Sequence, residues 1–140
     1  MNAQQLMAGV LQIGPRRSPH PDPETTFEHC INHPDCATNQ ETFDSGVAIV
    51  RDAPKIASMC VPVTAVDRAK RELAGSGTRV CAVVNYPPTD ESVDRKLDKV
   101  LEAMEEGADD VEVFLSPNNV RSAPHLVREE IDRLAHGAIA

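Results

Sequence analysis

Gly107-Ala108-Asp109-Asp110-Val111-Glu112-Val113-Phe114-Leu115 is the stretch on which the fold turns. It reads as a helix stop, a turn and a buried strand. Gly107 suits the C-terminal cap of a preceding helix. Asp109-Asp110 suits a solvated turn, and Val111 to Leu115 is apolar except at Glu112. A carboxylate inside such a strand is costly unless it is paired, hydrated or used. Glu112 is therefore the first candidate functional residue.

Upstream of this stretch, Val93, Leu97, Val100, Leu101 and Met104 recur at helical spacing, so the pattern predicts an amphipathic helix. Asp90 is placed to cap it, and Glu91 and Asp94 suit its positive N-terminal end. Before that helix, Val80-Cys81-Ala82-Val83-Val84 reads as a second buried strand, stopped by Tyr86-Pro87-Pro88. Thr64 to Leu73 reads as a helix with Val66, Ala69, Lys70 and Leu73 on one side, ended by Gly75-Ser76-Gly77. Ile56 to Val61 is a further apolar run. Downstream, Pro124 opens a last helix with Leu126, Val127, Ile131 and Leu134 facing inward. Buried strands alternating with amphipathic helices indicate βαβ units and an α/β fold with parallel strands. Pattern alone leaves a barrel fragment and an open doubly wound sheet both standing.

Residues 55–140 carry these repeats; residues 1–54 form an irregular N-terminal segment. Pro15, Pro19, Pro21, Pro23 and Pro34 make much of that segment loop-like. Leu6 to Ile13 reads as a short helix or a first strand. Glu24 to Ile31 and Thr42 to Val50 read as short helices.

At 140 residues, with 41% hydrophobic and 26% charged residues, the chain has the composition of one globular domain. A net charge of −8 argues against nucleic acid or an anionic membrane as partner. No apolar run reaches the roughly 20 residues of a membrane span. Met1-Asn2-Ala3-Gln4-Gln5 lacks the basic lead of a signal peptide, so a cytoplasmic location is expected. In a reducing compartment Cys30, Cys36, Cys60 and Cys81 are read as thiols. His29, Cys30, His33 and Cys36, with His20 nearby, have zinc-compatible residue types. They lack the paired Cys-x-x-Cys knuckles of a strong zinc signature, so they are read first as surface loop residues with no metal expected, and a small metal-binding module centred on Cys30 and Cys36 stands as the lesser alternative.

Taken in order, Ala57-Ser58-Met59-Cys60-Val61-Pro62, then Val66, Ala69 and Leu73, then Arg79-Val80-Cys81-Ala82-Val83-Val84-Asn85-Tyr86-Pro87 resemble deoxyribose-phosphate aldolase, a class I aldolase. Lys96, the Ala103 to Val113 stretch and Leu126-Val127-Arg128-Glu129-Glu130-Ile131 continue the resemblance, which runs from about Ala57 to Leu134. It implies a partial (β/α)8 TIM barrel, about four βα units, matching the N-terminal half of the family's fold. The implied reaction is reversible cleavage of 2-deoxy-D-ribose 5-phosphate to acetaldehyde and glyceraldehyde 3-phosphate through a lysine Schiff base, without a cofactor. The implied ligand is a small phosphorylated sugar.

The resemblance places Glu112 where the family carries an aspartate of the proton relay, one methylene shorter. It places Cys60 and Asn85 at the lining of the substrate site. From the residues alone, Glu112 reads first as a salt-bridged strand residue and Cys60 as a core thiol, while Asn85 is equally a cap of the turn into Tyr86-Pro87. The family's Schiff-base lysine lies on a later strand, past the point corresponding to Ala140, and none of Lys55, Lys70, Lys96 and Lys99 matches it. Ile13-Gly14 falls where the family has an Ile-Asp pair. The expectation is a truncated aldolase, inactive alone. The alternative is a half-barrel that forms a homodimer or complements a partner chain.

Overall fold

The computed structural model describes residues 10–13, 27–30, 39–53 and 56–139. Five strands form one sheet: β1 (Val10–Ile13), β2 (Phe27–Cys30), β3 (Ile56–Pro62), β4 (Arg79–Val84) and β5 (Asp110–Phe114). Their spatial order is β1-β5-β4-β3-β2. Strands β2 to β5 are mutually parallel, and β1 runs antiparallel along β5. The helices are α1 (Gln40–Asp52), α2 (Val66–Glu72, entered through a 3-10 turn at Val63–Ala65), α3 (Val93–Glu105), α4 (Pro117–Ser122) and α5 (Pro124–Ile139).

Strand alternation sorts the side chains into two layers. Met59, Val61, Val80, Ala82, Val84, Val111 and Val113 point to one face. There they meet Phe43, Val47 and Val50 of α1, Val66 and Ala69 of α2, Val100 and Ala103 of α3, and Leu134 of α5. The opposite face carries a separate, smaller cluster of Cys60, Cys81 and Val83 with Phe114. The core-forming helices thus share one side of the sheet.

Four expectations are corrected. The strands are not all parallel: β1 pairs Leu11 with Val113 and Ile13 with Val111, in antiparallel register. Pairing there puts Leu11 and Ile13 against the main core at the β5 edge. Glu24 to Ile31 is not a helix over its described part, because Phe27–Cys30 is hydrogen-bonded to β3 as an edge strand. Asp90 does not cap α3. Ser92 does, accepting from the Arg95 amide, while Asp90 accepts from the Asn118 amide at 2.9 Å and ties the loop to α4. The buried stripe of α3 is Lys96, Val100 and Ala103, leaving Leu101 and Met104 exposed, as Leu126 is on α5. The helix is turned so that a charged residue faces inward, which an apolar count cannot anticipate.

The helix ends follow local chemistry. Gly107 adopts φ +92 and closes α3, with Gly107 N–H donating to Met104 O (3.1 Å) and Ala108 N–H to Ala103 O (3.0 Å). Those two bonds are the paired pattern of a Schellman cap. Asn39 opens α1 by accepting from the Thr42 amide.

Candidate functional site

Asp109-Asp110 is a paired turn rather than a solvated one. Lys70 Nζ donates to both Asp109 oxygens (3.0 and 2.9 Å), and the Val80 amide donates to Asp109 Oδ2 at 2.8 Å. Burial alone would raise the Asp109 carboxyl, but the Val80 amide, the Lys70 ammonium and the Arg79 charge together hold it below the usual carboxylate range. Arg79 Nε donates to buried Asp110 at 2.9 Å. This turn anchors β5 against β4 and sets the position of Glu112 two residues on.

Glu112 is half-buried and lies in register with Val83 of β4 and Gln12 of β1. Alternation places it on the sheet face that also bears Cys60 and Cys81, both fully buried. Ligating atoms of Cys60, Cys81 and Glu112 all lie within 4.8 Å of one another. Cys60 is in register with Cys30 on β2 and Cys81 on β4, so three thiols form a row across three strands. The Cys30 side chain pulls the Cys60 thiol down. Cys81, burial and the Glu112 charge outweigh that and push it well above the ordinary thiol range.

Asn85 stands at the C-terminal end of β4 in the left-handed conformation, φ 62, which asparagine tolerates better than most residues. Its amide donates to Thr89 O (2.9 Å) and Phe114 O (2.8 Å) and accepts from Thr89 N–H (3.2 Å) and Thr89 Oγ1 (2.6 Å). An amide side chain has two donors and two acceptor sites; the loop and β5 occupy all four. Beside it, a shallow cavity of about 350 Å³ opens at the C-terminal ends of β3 and β4, lined by residues that include Thr64, Asn85, Tyr86, Glu91 and Lys99. The Tyr86-Pro87 peptide on its rim is cis.

The sequence-predicted residues therefore divide. Cys60 and Glu112 come together on one face, while Asn85 sits apart at the strand ends. Cys81 joins the first pair. The available signal was its place inside an apolar run, and only the register between β3, β4 and β5 assigns it to the site. Cys30 neighbours Cys60. His33, Cys36, Gly14 and Lys55 lie outside the described residues.

Each lysine among the described residues is engaged. Lys70 holds Asp109, and Lys99 holds Glu91 at 2.9 Å. Lys96 is fully buried on the helical side of the sheet, with Nζ 2.5 Å from Glu130 Oε1 and 3.0 Å from Ser116 Oγ.

Parallel strands with the core-forming helices on one face define an α/β protein, and solved aldolases share this fold. The chain superposes on QR15, an aldolase, with TM-score 0.71 and 17% identity, over 86% of this chain and 52% of the other. A Toxoplasma gondii chain assigned as a deoxyribose-phosphate aldolase gives TM-score 0.56 and 23% identity, over 79% and 45% of the two chains.

By sequence, the chain is similar to deoxyribose-phosphate aldolases. It is 32% identical to that of Treponema denticola over 60 residues, which is 43% of this chain and 28% of the relative. It is 34% identical to that of Bacillus subtilis over 62 residues, 44% and 28% of the two chains. The match thus spans less than a third of those relatives' length. No family model matches the chain. Among the described residues, no helix is long and apolar enough to cross a membrane.

Proposed function

We propose that this chain is a half-barrel of the deoxyribose-phosphate aldolase type, with Glu112 at the proton-relay position, and that it does not by itself cleave 2-deoxy-D-ribose 5-phosphate. The observation that carries the relationship is the sequence similarity to two deoxyribose-phosphate aldolases, at 32% and 34% identity. Among the described residues, the core-forming helices lie on one side of the parallel strands, which supports the half-barrel reading, because a barrel wall keeps its helices outside. Cys60 then lines the interior, and Asn85 shapes the mouth through Thr89 and Phe114.

Class I aldol chemistry needs an amine that is uncharged and free to attack a carbonyl. Lys70, Lys96 and Lys99 are each tied to a carboxylate. Each of these amine nitrogens is thus engaged with a carboxylate rather than free to attack a carbonyl. On this reading a lysine other than these three completes the site, with Glu112 moving protons beside it. The alternative reading, a non-catalytic half-barrel that pairs with itself or a partner, is favoured by β2, whose pairing among the described strands is to β3 alone.

Incubation of the pure chain with 2-deoxy-D-ribose 5-phosphate and borohydride, followed by peptide mass spectrometry, tests the proposal. No reduced adduct is expected on Lys55, Lys70, Lys96 or Lys99. A stoichiometric adduct on any of them would overturn the claim of inactivity alone.

A further inference from the structure

The row of thiols beside Glu112 has a use that a hydrocarbon-like reading of cysteine does not explain. A buried thiol alone is a small hydrophobe. Here two fully buried thiols, Cys60 and Cys81, face a carboxylate, with their potential ligand atoms within 4.8 Å of one another. Cys30 stands in register beside Cys60.

We propose that Cys60, Cys81 and Glu112 form a binding site for a zinc-class divalent cation on the face of the sheet away from the helices. Tetrahedral zinc with Zn–S distances of about 2.3 Å separates its sulfurs by roughly 3.8 Å. Neighbouring strands lie about 4.8 Å apart, so rotation of the side chains toward a common centre brings the ligands to that spacing. Thiolates select zinc-class ions over magnesium or calcium. Each cysteine that binds gives its S–H proton to solvent and becomes a thiolate. Bound metal would occupy Glu112 and so silence it as a proton carrier. The inference itself rests on the cysteine geometry and not on the aldolase reading.

The test is titration of the full, reduced chain with Co2+ under anaerobic conditions, then displacement by Zn2+. One equivalent of cobalt is expected, with thiolate-to-metal charge-transfer bands and tetrahedral d–d absorption. Cys60→Ser and Cys81→Ser should each weaken binding at least tenfold and reduce the charge-transfer intensity. Glu112→Gln should weaken binding while keeping that intensity. Cys36→Ser should change neither, which separates this site from the His29-Cys30-His33-Cys36 segment. X-ray absorption on the zinc-loaded wild-type chain needs no variant to fold, and should count two sulfurs. Absence of charge-transfer bands, bands that survive both Cys60→Ser and Cys81→Ser, or imidazole scattering with at most one sulfur would each overturn the proposal.

Discussion

Lys96 and Glu130 show how much one buried pair of residues organises. Lys96 Nζ donates to Glu130 Oε1 and Ser116 Oγ, while the Ser116 amide and Asn119 Nδ2 donate to the same carboxylate. The network joins α3, the β5-α4 connection and α5. Both charges are essentially inaccessible, at 0% and 1% exposure, so breaking the pair strands an ion in a low-dielectric interior. Lys96→Met is expected to cost about 3–5 kcal/mol in urea unfolding. Lys96→Met with Glu130→Leu should be more stable than Lys96→Met alone, and simple addition of the two losses would show that the residues are not coupled. Asp109 makes a different, pH-dependent contribution. Its carboxyl is held below the ordinary value of 3.8, so its stabilisation is fully present above that pH and lost as pH falls through the lower folded-state value. Asp109→Asn should flatten the acid limb of the stability curve below about pH 4 and leave the neutral region with less stability than the parent. An unchanged acid limb, followed by circular dichroism, would rule out this role.

At the level of elements, helix ends and buried strands were the legible parts because their chemistry is local. Gly107 is the clearest case: it caps α3 at φ +92, and a Cβ there would approach nothing closer than Lys70 Cγ at 3.9 Å. Gly107→Ala therefore tests backbone conformation without a clash and is expected to destabilise by about 1–2 kcal/mol, read as a shift in the urea midpoint at constant slope. No shift would mean that the cap tolerates a side chain in the left-handed region. The runs Val80 to Val84 and Val111 to Phe114 were legible as strands because both are apolar and bounded by turn residues. Phe27-Glu28-His29-Cys30 was not, having neither alternation nor an apolar run; it is extended because the β3 edge supplies its hydrogen bonds. Pro117–Ser122 was missed because it is short and buries no residue of its own. Of the site, Glu112 was legible as a charge in an apolar strand, and Cys60 through family resemblance. Cys81 required the register across three strands, a non-local fact that no single segment encodes.

For the whole molecule, the decisive feature is the strand at the β5 edge. An eight-stranded parallel barrel would continue from β5 into another parallel strand, whereas here β1 occupies that edge in antiparallel register. Pairing with β1 covers the β5 edge, leaving β1 as the terminal strand among the described residues, and it buries Leu11 against the core at 7% exposure. Burial of one such leucine stabilises by ~1.5–3 kcal/mol, comparable to one or two good hydrogen bonds and small enough for a competing strand to displace. On the proposed half-barrel reading, β1 guards the β5 edge, and a complementary chain that joined there would first have to dislodge it. Removing residues 1–13 should uncover the β5 edge and shift the chain toward dimers and larger species at concentrations where the full chain sediments as a smaller species. Sedimentation velocity across a concentration series checks this, with circular dichroism confirming that the helices persist. Restoring Val10–Ile13 as a free peptide should reverse the shift by re-pairing with Val111 to Phe114. If the shortened chain stays folded and sediments like the full chain at every concentration, the β5 edge is not an association surface, and complementation by a second half-barrel at that edge is ruled out.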